Sequence, residues 1–322
     1  MKTVIATGEP GGSSVTVADQ DMPVLEPGTS LVRIHSATIN QLSNSIRHGR
    51  VPGTTFPLVL GNEASGIIEA GSAFDRGTPV VIYGAGQLGV TQAGLMRQWA
   101  VVEDKRLFEL PKGLTMEQGA ASTVNYITAW KALQRGGVGP GSRVLITGGT
   151  GALGHALREL AQQLGADVTI SVSSTFKCEQ AKALSAGLVL NLSEISIAHF
   201  VRGVDAPAFD VVLDTVGGKV LADAVLGLRA GGTAVAIGFA GGVVTALDLV
   251  DLIVHEKRIL GYDLHLETDE QAADAFADVA ALMAGGHVRP IIDSTYALSE
   301  LDRAYERLES RRSVGAITLH FH

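Results

Sequence analysis

Cysteine is almost missing from this chain. Cys178 stands alone among 322 residues, which excludes internal disulfides and any multi-cysteine zinc lobe. Its setting in a helical run from Lys177 to Ala186 reads as an inert, packed thiol. Long apolar runs are also lacking: no stretch reaches the roughly 18 residues of a membrane span. The opening MKTVIATGEP meets Gly8 and Pro10 too soon to build an apolar signal core, so a cytoplasmic protein is expected. Clustered positive charge is the third absence. The net charge of -8 is spread along the chain without a basic run, which argues against nucleic acid or an anionic membrane as partner. What is present in quantity is glycine, 39 residues, within a composition that is 46% hydrophobic. That balance suits compact α/β structure with many tight turns, and the length suggests two domains.

The most informative stretch is Arg143 to Gly154, RVLITGGTGALG, a short apolar strand running straight into a glycine-rich turn and a helix. Gly149 is expected to permit the turn, Gly151 to let backbone N–H groups approach phosphate, and Gly154 to let helix and strand pack closely. With Thr150, Ala152 and Leu153 these residues form a candidate cradle for a dinucleotide pyrophosphate at a helix N-terminus. The flanks support it. Ala152, Leu153, Ala156, Leu157, Leu160, Ala161 and Leu164 make an apolar stripe at helical spacing, Gly165 stops the helix, and Asp167 to Val172 follows as a second strand. A second GxGxxG, Gly84 to Gly89, also follows a strand-like run, but Gly94 interrupts what comes after and no strand–helix repeat continues. It is expected to be a surface loop near the active site.

The chain changes character twice. Short punctuated strands (31–35, 65–70, 79–83, 98–103) fill residues 1 to about 120. A helix from Met116 to Leu133 then leads into strand–helix units with strands near 143–147, 167–172, 188–191, 209–214, 232–237 and 257–261, the alternation of a parallel, doubly wound sheet. The tail predicts a helix from Asp269 to Ala284, a strand from Val288 to Ile292, a helix from Leu298 to Glu309 and a last strand, Ala316 to His320, and is expected to rejoin the first domain.

Several stretches in order (NQLSNSIRHG at 40–49, PLVLGNEASGIIEAG at 57–71, QWAVVEDKRLFELPKG at 98–113, GAASTVNYITAW at 119–130, FDVVLDTVGG at 209–218, GGTAVAIGFAGG at 231–242) make the chain resemble the medium-chain dehydrogenase/reductase superfamily. Within it, the zinc-free NADPH:quinone oxidoreductase branch, zeta-crystallin-like, is the nearest likeness. The resemblance implies an α/β protein with a GroES-like β-rich catalytic domain (1–120 plus 263–322) and a Rossmann domain (121–262) carrying a doubly wound parallel six-stranded sheet. It also implies a homodimer, for which the apolar run Val243 to Val254 with the strand Arg258 to Gly261 is a plausible surface.

No metal is expected. Asn62 stands where zinc-dependent relatives carry a ligand histidine, and the cysteine they use near the start of the catalytic domain is missing. Glu63 reads as a turn-stabilising carboxylate, and histidines 35, 48, 155 and 199 lack ligand spacing and read as ordinary surface or packed residues. Without a Lewis acid the acceptor must already be electron-poor, as quinones and conjugated carbonyls are.

Cofactor choice turns on the end of the second strand. No Asp or Glu stands there; instead Ser173, Ser174 and Lys177 follow, and hydroxyls with a cation suit a 2′-phosphate, so NADPH is expected over NADH. By resemblance Arg311 reaches that phosphate, Thr128 lies near the nicotinamide ribose, and Leu192 departs from a tyrosine often found near the adenosine phosphate. Val216, Gly217, Gly238 and Phe239 end strands at the carboxyl edge of the sheet, and Leu264 is expected to frame the nicotinamide.

Candidate catalytic residues are Asn40, matching a family asparagine near the nicotinamide or else a turn residue; Arg47, to orient an acceptor oxygen or else a salt-bridged structural arginine; and Tyr126, as a proton donor or else a packed core tyrosine. The expected activity is NADPH-dependent reduction of a small-molecule quinone or enone. The alternatives are a 2-enoyl-thioester reductase, and an NADPH-binding sensor or structural protein without turnover.

Overall fold

The computed structural model describes residues 1–8, 15–184, 187–202 and 208–321. Pro10 and the end of the expected helix at Ser185–Ala186 lie outside the described residues. The chain divides into two compact units, Met1–Ile127 with Leu264–His322, and Thr128–Asp263.

The first unit opens with β1 (Lys2–Ala6) and β2 (Val15–Asp19), an antiparallel pair, and continues into β3 (Thr29–Ile39). After α1 (Gln41–Arg47) come β4 (Leu58–Val59), β5 (Glu63–Ala70), β6 (Pro79–Tyr83), β7 (Trp99–Glu103), β8 (Leu107–Glu109) and α2 (Met116–Ala120). Next, α3 (Val124–Gly136) crosses into the second unit, which holds β9 (Arg143–Thr147), α4 (Ala152–Gln163), β10 (Asp167–Val172), α5 (Thr175–Ala183), β11 (Leu188–Asn191) and α6 (Ile197–Val201). It ends with β12 (Phe209–Asp214), α7 (Gly218–Leu226), β13 (Leu228–Ala236), α8 (Leu249–Val254) and β14 (Arg258–Gly261). The chain returns to the first unit with α9 (Asp269–Ala284), β15 (Ile292–Ala297), α10 (Leu301–Glu309) and β16 (Ala316–His320).

In the first unit β3 is the hub: it pairs antiparallel with β5, β7 and the C-terminal β16, in a sheet ordered β15-β16-β3-β5-β6-β8. Its core gathers Val32, Ile34, Ile68, Val80, Ile82, Leu95 and Ile317, all essentially inaccessible. In the second unit six parallel strands run in the order β11-β10-β9-β12-β13-β14. The order reverses between β9 and β12, the switch point beyond which open α/β sheets bind ligands. Val144, Leu145, Ile146, Val212 and Leu213 are fully buried there. Each such side chain contributes roughly 1.5 to 3 kcal/mol, so the strand ends at the switch point rest on a rigid floor.

Four expectations need correction. The helix expected from Met116 to Leu133 is two helices, broken at 121–123, because Thr123 and Val124 turn to bond the Glu63 carboxylate. The same tether puts the unit boundary at Ile127 rather than 120. The strand expected at Val288 to Ile292 runs instead from Ile292 to Ala297, since Pro290 has no N–H to give a ladder. The helix around Cys178 starts earlier, at Thr175, where Ser174 caps it.

Candidate functional site

In the second unit β9 ends at Thr147 and the chain turns through Gly148, whose φ of +64° is the left-handed value that favours glycine. Gly148 therefore carries the tight turn expected of Gly149. Gly149 is constrained by packing, since a Cβ there would lie 2.5 Å from Ile170, and one on Gly154 would lie 2.3 Å from the Gly148 carbonyl. Gly151 is the N-cap of α4 and has no side chain to cap it; a Cβ there would meet nothing nearer than 3.5 Å. The amides opening α4, at Ala152 and Leu153, thus meet neither an acidic side chain in the first turn nor a capping side chain, which leaves a helix N-terminus suited to an anion. Thr150 is buried at the same bend.

Beneath the loop lies Asp214, buried and absent from the residues singled out in the sequence. Its carboxylate accepts from Thr147 Oγ1 at 2.6 Å and from the Gly217 N–H at 2.7 Å. The Thr215 hydroxyl donates to the Thr147 carbonyl at 2.8 Å. Burial raises the Asp214 pKa, and these donors oppose the rise. The pair ties the ends of β9 and β12 at the switch point and fixes Val216 and Gly217. Gly238 lies close enough to the Thr215 backbone that a Cβ would stand 2.3 Å from its carbonyl, and Phe239 beyond it is exposed. An FDVVLD strand ending in an acid, followed by TVGG, was the available signal.

At the end of β10, Ser173 is exposed, Ser174 spends its hydroxyl accepting from the Lys177 N–H, and Lys177 is half-buried on the first turn of α5. An acid does reach this neighbourhood from further along the chain: Thr175 Oγ1 donates to Glu194 Oε1 at 3.2 Å, and Asn191 Nδ2 donates to the same oxygen at 2.6 Å. Thr128 is buried. Leu264 and Arg311 belong to the first unit, where Leu264 is buried with its carbonyl 3.5 Å from the Tyr83 hydroxyl and Arg311 is exposed with φ of +56°.

The first unit gathers a polar cluster around Glu63. Asn40 caps α1, its Oδ1 accepting from the Ser43 N–H at 2.9 Å while its Nδ2 donates to Asn62 Oδ1 at 2.8 Å. Glu63 is the first residue of β5 and wholly inaccessible, so it is a tether between elements and not a turn residue. Its carboxylate accepts from Thr38 Oγ1 at 2.7 Å, the Val124 N–H at 3.0 Å, Asn125 Nδ2 at 3.2 Å and Thr123 Oγ1 at 3.5 Å. Burial pushes its pKa up to about 7 against the pull of these donors. Arg47 is held elsewhere: it bonds Asn44 Oδ1 at 2.7 Å and Glu309 Oε1 at 2.6 Å and lies 4.1 Å over the Tyr305 ring. Tyr126 is 1% exposed, a core position. These are the settings of a salt-bridged arginine and of a packed core tyrosine.

Catalytic zinc does not fit at Asn40 and Asn62. It needs thiolate, imidazole or carboxylate donors with an open position, and here two carboxamides bond each other. The other GxGxxG, at 84–89, follows β6 as a tight turn closed by Gly89 N–H to the Gln92 carbonyl, and no helix follows. Among the described residues no helix is long and apolar enough to cross a membrane.

Comparison with known proteins gives a consistent picture. Residues 26–112 match the family described as alcohol dehydrogenase GroES-like domain, and residues 193–319 the family described as zinc-binding dehydrogenase. A quinone oxidoreductase of Homo sapiens is 27% identical over 313 residues, covering 92% of this chain and 91% of its own. The crystal structure of an NAD-dependent alcohol dehydrogenase superposes with a TM-score of 0.89 at 24% identity, covering 100% of both chains. The yhdH oxidoreductase of Salmonella enterica in complex with NADP does so with 0.81 at 22%, again covering 100% of both chains.

The Glu63 tether predicts a pH signature. Its folded pKa, about 7, stands above the ordinary 4.5, so its contribution is complete below about pH 4.5 and is lost as pH rises through about 7. Glu63→Gln removes the titration. The unfolding free energy of the parent relative to Glu63→Gln, from urea midpoints, is expected to fall by up to about 3 kcal/mol from acid to pH 8; a flat difference contradicts it.

Proposed function

Because the chain belongs to the medium-chain dehydrogenase/reductase superfamily of oxidoreductases, we propose that it is a metal-independent, NADPH-dependent reductase of quinones or conjugated carbonyl compounds. The observation that carries this reading is the Asn40–Asn62 amide pair, whose Asn62 stands, by the resemblance, where zinc-dependent relatives carry a ligand histidine. Bound NADPH would supply the hydride, and residues of this chain would do the rest. The α4 amides would hold the pyrophosphate, Asp214 would keep the strand ends in register under it, and Asn40, fixed by Asn62 and Ser43, would orient a carbonyl without titrating. An acceptor whose added charge delocalises onto its own oxygen needs no Lewis acid.

The thioester reading requires a tyrosine donor; of the five tyrosines Tyr83, Tyr126, Tyr262 and Tyr305 are buried and Tyr296, on β15, is half-buried. For the cofactor a second reading has an observation of its own: Glu194, bonded to Thr175, is the kind of acid that grips ribose hydroxyls and repels a 2′-phosphate, which favours NADH. Lys177, with Ser173, favours NADPH. For assembly, we infer a homodimer through the open edge of β14 and the exposed apolar face of α8, where Val250, Ile253 and Val254 are each at least 68% exposed.

Oxidation of NADPH and of NADH is followed separately with a quinone panel, enones and a crotonyl thioester, with and without chelator. Quinone turnover with NADPH, indifferent to chelator, is the expected result; thioester turnover alone, or tight binding without turnover, contradicts it. Lys177→Ala is expected to weaken NADPH binding about tenfold to a hundredfold and leave NADH nearly unchanged, since each charge-assisted contact to phosphate contributes roughly 1.5 to 3 kcal/mol. The dimer predicts a particle of twice 33.5 kDa that Ile253→Asp halves; a monomeric parent rules it out.

A further inference from the structure

The sequence gives His35 no ligand partner at any short spacing, yet the fold of the first unit brings it to two other donors. His35 lies on β3, His320 ends β16, and Glu117 stands in the first turn of α2. His35 Nδ1 is 3.9 Å from Glu117 Oε1, and His320 Nε2 is 3.5 Å from the same oxygen. One ligand atom from each residue lies within 4.8 Å of the other two. The two imidazoles meet edge to face, with centroids 5.4 Å apart and planes at 71°.

Backbone bonds hold these positions. Phe321 N–H donates to the His35 carbonyl at 3.2 Å, and β16 pairs with β3 in a register that sets His320 against Ser36. The Ser65 hydroxyl donates to the Met116 carbonyl at 2.6 Å, fastening α2 to β5 one residue before Glu117, and a capping box between Thr115 and Gln118 fixes the turn that bears it. The three side chains are 25%, 23% and 31% exposed, screened from bulk solvent but open enough for a bound water.

We propose that His35, Glu117 and His320 form a binding site for a divalent transition metal of the zinc class. Two imidazoles and a carboxylate are a zinc donor set, better suited to Zn²⁺, Co²⁺, Ni²⁺ or Cu²⁺ than to the oxygen-seeking Mg²⁺ or Ca²⁺. Ligand bonds of about 2.0 to 2.1 Å in tetrahedral geometry put ligand atoms about 3.3 Å apart. The separations here, 3.5 and 3.9 Å to the carboxylate and at most 4.8 Å overall, are close to that spacing. The site shares no residue with Asn40, Asn62 or Glu63, so it has no part in activating an acceptor. It joins the C-terminal strand to β3 and to α2, and metal bound there stabilises the first unit by mass action.

The test uses untagged, full-length protein freed of metal with chelator, then titrated with Co²⁺ and, separately, Zn²⁺. The expected results are one Co²⁺ per chain, a visible ligand-field absorption band, and a Zn²⁺-dependent rise in Tm. In His35→Gln, Glu117→Gln and His320→Gln, each checked by far-UV circular dichroism, affinity should fall at least about tenfold and the band should disappear. Should a variant fail to fold, Co²⁺ broadening of the His35 and His320 imidazole resonances in the parent answers the question without substitution. No saturable uptake by the parent, uptake unchanged in all three folded variants, or imidazole resonances left sharp by Co²⁺ would overturn the proposal.

Discussion

Everything in the second unit is arranged around amide groups at the start of α4 that have no partner within their own helix. A helix cannot satisfy its first N–H groups internally, and most chains cover them with a capping side chain or an acid in the first turn. Here Gly151 supplies neither. The surrounding contacts keep that end uncapped and rigid: Gly148 takes the positive φ, Ile170 presses on Gly149, and the Gly148 carbonyl sits where any Cβ on Gly154 would be. Asp214, bonded to Thr147 and Gly217, locks the strand ends beneath. A helix end left open in this way is suited to an anion, and the proposed diphosphate is one.

The first unit solves a different problem, that of burying a carboxylate without an ion to neutralise it. Glu63 sits among Thr38, Thr123, Val124 and Asn125, and its four donors offset part of a desolvation cost that would otherwise amount to several kcal/mol. The result is a carboxyl that titrates near neutrality and a break between α2 and α3 that the hydrophobic pattern gave no reason to expect. Beside it the Asn40–Asn62 pair is neutral at every pH of interest, so the cluster can orient a polar atom but cannot act as a Lewis acid.

How much of this was legible in the sequence depended on how local the cause was. The strand–turn–helix junction was readable because strand, glycines and helical stripe are consecutive, and only the division of labour between Gly148 and Gly149 was not. That these strands form a parallel, doubly wound sheet followed from their alternation with helices, whereas their order across the sheet did not. Glu63 and Asp214 were missed as anchors because their donors come from residues about 60 positions away, such as Asn125 and Thr147. The same holds for His35: strand pairing across nearly the whole chain supplies His320, and the docking of α2 on the sheet supplies Glu117. Arg47 and Tyr126 were named for what a guanidinium and a phenol can do, and the structure places the one on Tyr305 and Glu309 and the other in the core.

The most direct test of the central claim is to follow backbone amide resonances while a pyridine dinucleotide is titrated into the labelled protein. If the uncapped donors at the start of α4 hold the diphosphate, the amides of Thr150, Ala152 and Leu153 shift together and saturate with the cofactor. Saturable binding that leaves those three amides unmoved would contradict the account.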